Sequence, residues 1–170
     1  MPTALIAEDE PLLAAALKAE LARAWPELQI AATVGDGASA VQQALALQPD
    51  VLFFDIRMPG LSGLDAAAEL ADAWDSAARP FPALVFVTAY DQYAVQAFEA
   101  QAVDYLLKPV QPARLQKSVQ KLRRALDQQA QAAINSEANK SSPLQATAEQ
   151  LRQLLAALEP AAPTAALPVL

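Results

Sequence analysis

The sequence predicts a three-layer α/β sandwich around a parallel five-stranded sheet, and three observations carry that expectation. Val51-Leu52-Phe53-Phe54 is apolar at every position, stops at Asp55 and is followed by Met58-Pro59-Gly60. A short apolar run without alternation, closed by turn residues, reads as a strand covered on both faces, as in parallel sheets. Further apolar runs alternate with stretches of helical spacing, the pattern of strand-helix units. Finally, the strands end in polar or charged residues, and ligands of open parallel sheets bind at the carboxyl ends of the strands.

Taken in order, Ala4-Leu5-Ile6-Ala7 is a short strand ending at Glu8-Asp9-Glu10. Pro11 then opens a helix at the position where its missing N–H costs nothing. That helix runs to about Trp25, with Leu13, Leu17 and Leu21 on one face. Gln29 to Val34 is a second strand, closed by Gly35-Asp36-Gly37. Ala38 to Leu47 follows as a helix with Val41, Ala44 and Leu45 inward, and Pro49 ends it before the central strand. Ser62-Gly63 leads into a helix through Trp74, stopped at Arg79-Pro80-Phe81-Pro82. Ala83 to Thr88 is the fourth strand, and a weaker helix covers roughly Gln92 to Ala100. Val103 to Leu107 is the fifth strand, followed at once by Lys108-Pro109. The last regular helix spans Pro112 to about Gln129, with Leu115, Val119, Leu122 and Leu126 on one face.

Parallel neighbours are joined by right-handed crossovers, so these units stack as a (βα)5 sandwich. In the flavodoxin-like order 2-1-3-4-5, Glu8-Asp9, Asp55, Thr88 and Lys108 all point into one crevice between the first and third strands. Taken singly, each residue has an ordinary explanation: acids near a helix start, a turn aspartate, a strand threonine, a loop lysine. Agreement of four strand ends in type and order is a different matter.

Composition narrows the chemistry. With 170 residues the chain holds one domain of roughly 120 residues with a real core, plus an extension. It contains neither cysteine nor histidine. Disulfides, thiol catalysis, histidine triads and most zinc sites are therefore excluded. A net charge of −7 argues against the chain holding nucleic acid by itself. The opening Pro2-Thr3-Ala4 lacks a basic leader and no apolar run spans a bilayer, which leads us to expect a cytoplasmic protein without membrane contact.

The order Glu8-Asp9, Asp55, Thr88, Tyr105 and Lys108-Pro109 resembles the response-regulator receiver domain of bacterial two-component systems, over about residues 3 to 127. The runs Phe86 to Phe98 and Ala102 to Val110 are similar to its LytTR-type subgroup, in which a DNA-binding domain follows the receiver. The chain ends before such a domain, as expected of an isolated receiver fragment or a shortened relative. Residues 128–170 read as an extension: a Gln, Ala, Ser and Asn-rich linker to Thr147 with a frayed helical start, then either a short helix over 148–159 or a disordered tether with incidental leucines, and a flexible tail.

A carboxylate can accept a phosphoryl group as a nucleophile if the charge on that group is neutralised. Asp55 is the candidate phosphorylation site, and a magnesium ion, a hard cation that prefers carboxylate oxygens, suits the task. The resemblance implies that Asp9 and Asp55 supply side-chain oxygens, Glu8 holds a coordinating water and the Arg57 carbonyl completes the ligands. Lys108 can pair with one phosphoryl oxygen and Thr88 can donate to another. The family also implies a cis peptide between Lys108 and Pro109. Glu8 stands where the family more often has aspartate, and Arg57 and Tyr90 lie where it tunes phosphoryl lifetime.

The resemblance further implies a signalling phosphoacceptor rather than an enzyme, with a sensor histidine kinase as partner. Phosphorylation would draw the Thr88 hydroxyl toward the new oxygens, Tyr105 would swing inward, and a homodimer would form on the changed face. DNA would be reached only through the missing output domain. The alternative is a stand-alone receiver acting through protein contacts. A haloacid-dehalogenase-type phosphatase is disfavoured because Arg57 stands where a second acid is needed. A flavin module is disfavoured because no phosphate-cradling loop follows the first strand.

Overall fold

The computed structural model describes residues 1–141 apart from 91 and 93. The expected helix over 148–159 and the tail lie outside the described residues. Among the described residues the order is β1 (Thr3–Ala7), α1 (Pro11–Ala24), β2 (Gln29–Val34), α2 (Gly37–Leu47) and β3 (Val51–Phe54). It continues with α3 (Gly63–Ala73), β4 (Ala83–Thr88), α4 (Ala94–Glu99), β5 (Asp104–Leu107) and α5 (Pro112–Ser141). All strand pairs are parallel and the sheet order is β2-β1-β3-β4-β5. This is the flavodoxin-like order, with the reversal between β1 and β3. No helix among the described residues is long and apolar enough to cross a membrane.

The central strands β3 and β4 are buried at every position, which is why their sequences do not alternate. Side chains still point to opposite faces in turn. Val51 and Phe53 join Ile6, Val85, Leu17, Leu21, Leu115 and Leu122 in one core layer, against α1 and α5. Leu52 and Phe54 join Leu5, Phe86, Ala44 and Leu70 in the other, against α2 and α3. Edge strand β2 alternates exposed and half-buried residues, as an edge does.

Helix starts follow local chemistry. Asp36 caps α2 by accepting from the Ser39 N–H at 2.7 Å, and Ser62 caps α3 by accepting from the Asp65 N–H at 3.1 Å. The inward stripe of α2 differs from expectation. Leu45 is 38% exposed, and the buried positions are Gly37, Ala40 and Ala44. The small residues are buried because α2 runs close to the chain entering α3: a Cβ on Gly37 would overlap the backbone of Leu61. On α1, Ala14 is buried with Leu17 and Leu21, while Leu13 is half-buried.

A first compact unit covers Met1–Gln128. The last helix continues to Ser141, past the expected end near Gln129, so the segment read as a linker begins as helix.

Candidate functional site

The carboxyl edge of the sheet is built by backbone bonds that continue the ladder one residue past each strand. The Glu8 N–H donates to the Val34 carbonyl at 2.8 Å, the Asp55 N–H to the Ala7 carbonyl at 2.9 Å, and the Lys108 N–H to the Thr88 carbonyl at 2.8 Å. Each charged residue thus stands at the first position beyond a strand, with its Cα fixed by the neighbouring strand. Asp55 is also held from below. The Gly63 N–H donates to the Ile56 carbonyl at 2.7 Å, and a Cβ on Gly63 would overlap the Asp55 carbonyl, so only glycine permits this closure of the β3–α3 loop.

Residue parity then selects the face. Glu8 follows Ile6, Asp55 follows Phe53 and Lys108 follows Leu106, all residues of the α1/α5 core layer. The three side chains meet there. The Lys108 ammonium donates to Glu8 Oε1 at 2.8 Å, to Glu8 Oε2 at 2.9 Å and to Asp55 Oδ2 at 2.9 Å. An ammonium has three N–H donors, so these bonds use them all. Glu8 and Asp55 are 7% and 6% exposed.

Two buried carboxylates share one cation, so ionising both would leave an excess negative charge. Burial pushes the Glu8 carboxyl up to about 7, reinforced by the neighbouring Asp55 and only partly opposed by Lys108. For Lys108, burial acts to lower the pKa, but its bonds to Glu8 and Asp55 outweigh that and the net direction is upward.

Carboxylate oxygens of Glu8, Asp9 and Glu10 all lie within 4.8 Å of one another, with Glu8 buried and the other two exposed. Glu8 is therefore common to this acidic cluster and to the Lys108 pair. Glu10 joins the cluster although the sequence reading did not select it. Asp9 and Arg57 line one open groove at the sheet edge together with Met58 and Gln96.

Thr88 is fully buried, and its Oγ1 has no hydrogen-bond partner among the described residues. A buried hydroxyl without a partner is costly, so such a group calls for an explanation. Phe86 pairs with Tyr105 in the β4–β5 register, and Thr88 lies two residues beyond Phe86. Thr88 and Tyr105 thus project on the same face of the sheet. The half-buried Tyr105 packs against the α2/α3 core layer, and its hydroxyl donates to the backbone carbonyl of Tyr90. Above, the Arg57 guanidinium lies 4.3 Å from the centroid of the Tyr90 ring. The Lys108-Pro109 peptide is cis, as the resemblance implies.

One charged centre escaped the sequence reading. Asp104 accepts from both Arg114 guanidinium nitrogens at 2.8 and 2.6 Å, from the Ser118 hydroxyl at 2.5 Å and from the Tyr105 N–H at 2.9 Å. Burial opposes its ionisation, yet these donors together hold its carboxyl well below the usual range. A signal existed: Arg114 and Ser118 are four residues apart on one helix face. Their target on β5 could not be read from spacing alone.

Residues 4–120 match the Response regulator receiver domain family. An uncharacterized response regulatory protein of Vibrio cholerae is 46% identical over 124 residues, covering 73% of this chain and 46% of that protein. The Transcriptional regulatory protein BtsR of Escherichia coli is 40% identical over 125 residues, covering 74% of this chain and 49% of BtsR. The chain spans about half the length of these relatives. Among solved structures, the response regulatory domain of protein mrkE from Klebsiella pneumoniae matches with a TM-score of 0.67 at 32% identity, over 75% of this chain and 99% of that one. The REC domain of AraT from Geobacillus stearothermophilus matches with a TM-score of 0.65 at 32% identity, over 75% and 96%.

Proposed function

Because the chain belongs to the response regulator receiver family, we propose that Asp55 accepts a phosphoryl group from the phosphohistidine of a sensor histidine kinase and that this controls the output of a longer regulator. In the transfer, an Asp55 oxygen forms a bond to phosphorus while the bond from phosphorus to the histidine nitrogen breaks. The nitrogen keeps the electron pair. There is little covalent work for the protein beyond positioning and charge neutralisation.

The observation that carries this reading is the orphaned Thr88 hydroxyl. Thr88 ends the strand whose last carbonyl ties down Lys108, and we assign its hydroxyl, which starts from the α2/α3 side of the sheet, as the group that turns to a phosphoryl oxygen on Asp55. Lys108 has a corresponding role, exchanging a bond to Asp55 or Glu8 for one to the phosphoryl group.

Receiver domains generally bind Mg2+ at an acidic pocket, and the donor set here fits such an ion: clustered hard oxygens with more negative charge than Lys108 neutralises. We assign Asp9 and Asp55 as side-chain ligands, Glu8 as holder of a coordinating water and the Arg57 carbonyl as the remaining protein ligand. When bound, the ion supplies positive charge to the transferring group.

The change of output is assigned to Thr88 and Tyr105. Their common face and the Tyr105 bond to the β4–α4 segment support a linked movement, ending in a homodimer. The runs Phe86 to Phe98 and Ala102 to Val110 favour a LytTR-type transcriptional regulator, in keeping with a relative named as a transcriptional regulatory protein. In this reading the chain is a phosphoacceptor without enzymatic turnover on other substrates, and DNA is contacted by an output domain.

The test is mass spectrometry after incubation with acetyl phosphate and Mg2+. One acid-stable, base-labile phosphate on Asp55 is expected, and none in Asp55→Asn. A phosphate on another residue, or none, would overturn the assignment.

A further inference from the structure

A cavity of about 190 Å³ lies on the α1 side of the sheet, behind the charged cluster. Its apolar walls include Leu13 and Leu17 of α1, Phe53 and Val87 from the sheet, and Val110 after β5. Glu8, Asp55 and Lys108 also line it, so the chamber is an apolar body with one charged end. An apolar cavity of roughly 150 Å³ in another protein stays dry and takes a benzene ring. This one has room for a single ring or a short alkyl chain.

The charged end selects the sign of the ligand. Two carboxylates face one ammonium, and Lys108 takes only Oδ2 of Asp55. Glu20, the other acid on the lining, is engaged by Arg23 at 2.5 Å and adds little to the excess. A cation is favoured there, a neutral ligand gains only the apolar contact, and an anion is repelled. We propose that this cavity is a binding site for small organic cations, holding an aromatic or short aliphatic body among the α1 and sheet side chains and a primary ammonium beside Glu8 and Asp55.

The ligand shares its carboxylates with the phosphorylation site but enters from the apolar side. Binding is therefore expected to compete with Lys108 for those oxygens and to slow phosphoryl acceptance.

The test is a titration of the full chain with benzylammonium chloride, benzyl alcohol and sodium benzoate, followed by amide chemical shifts. Saturable shifts are expected at Ile6, Ala7, Leu17, Val87 and Val110, with benzylammonium at least about tenfold tighter than benzyl alcohol and benzoate silent. Ala16 also lines the cavity and is solvent-exposed, so Ala16→Phe is expected to obstruct it. In that variant benzylammonium affinity should fall at least about tenfold. Absence of saturation, equal affinity for amine and alcohol, or undiminished binding by folded Ala16→Phe would each overturn the proposal. If that variant does not fold, the wild-type comparison of the three probes decides. Neither magnesium nor a phosphoryl donor is present, so failure here is separate from failure of the Asp55 assignment.

Discussion

The hydroxyl of Tyr105 donates its hydrogen bond to the backbone carbonyl of Tyr90, fifteen residues earlier, and so ties β5 to the segment after β4. Tyr105→Phe keeps the packed ring and removes that bond. We expect a loss of about 1 kcal/mol in urea unfolding. Labelling of Asp55 by acetyl phosphate should stay within about twofold while the beryllofluoride-induced change in mass on sizing is lost. An unchanged mass response in the variant would separate Tyr105 from the output.

The excess of carboxylates around Lys108 predicts opposite signs for two substitutions. Lys108→Met leaves Glu8 and Asp55 without their cation and should cost about 3 kcal/mol in metal-free protein. Asp55→Asn removes the like-charged neighbour that helps to hold Glu8 up, leaving one carboxylate to Lys108, and should leave stability equal or higher. Equilibrium unfolding of both at pH 7 checks the pair, and a large loss in Asp55→Asn would mean that the site is not charge-frustrated.

Magnesium titration by calorimetry should show weaker binding in Asp9→Asn and in Asp55→Asn. Arg57→Ala should bind nearly as the parent does, because the ligand assigned there is a backbone oxygen. Full affinity in both acid variants would relocate the ion.

Gly63→Ala drives a Cβ into the carbonyl of the phosphorylation site. The expected cost is about 2 kcal/mol of stability. Acetyl phosphate labelling should slow by about tenfold or more, since small displacements of a nucleophile are expensive. Labelling at the parent rate would show that the loop adapts without moving Asp55.

Asp104 supplies a pH signature. Its folded pKa lies below that of the unfolded chain, so the stability contributed by Arg114 and Ser118 is fully present above about pH 4 and is lost as pH falls through the folded value. Asp104→Asn should cost about 2 kcal/mol at pH 7 and show a shallower fall in stability below about pH 4. Parallel pH profiles for the two proteins would contradict that role.

Strand runs and their polar ends made most of this architecture legible, because burial on both faces and a carboxyl-end site leave marks in adjacent residues. Asp55 and Lys108 could be selected that way. Leu45 could not be placed, since helix spacing shows a stripe but not how near the neighbouring chain comes. Gly37 and Ala44 were the better guides. The Arg57 contact with Tyr90 and the Asp104 network join residues on different elements, and nothing local encodes such partners. The extent of α5 also depends on more than the leucine stripe, which fades after Leu126 while the helix goes on.

The rungs from Glu8 to Val34, Asp55 to Ala7 and Lys108 to Thr88 make the sheet a measuring rod for the chemistry. Its pitch is common to all parallel sheets and indifferent to which side chains clothe the outer helices. Evolution could therefore rewrite the recognition surfaces of such a protein freely, giving it new informants and new audiences, without once having to recalibrate the reaction.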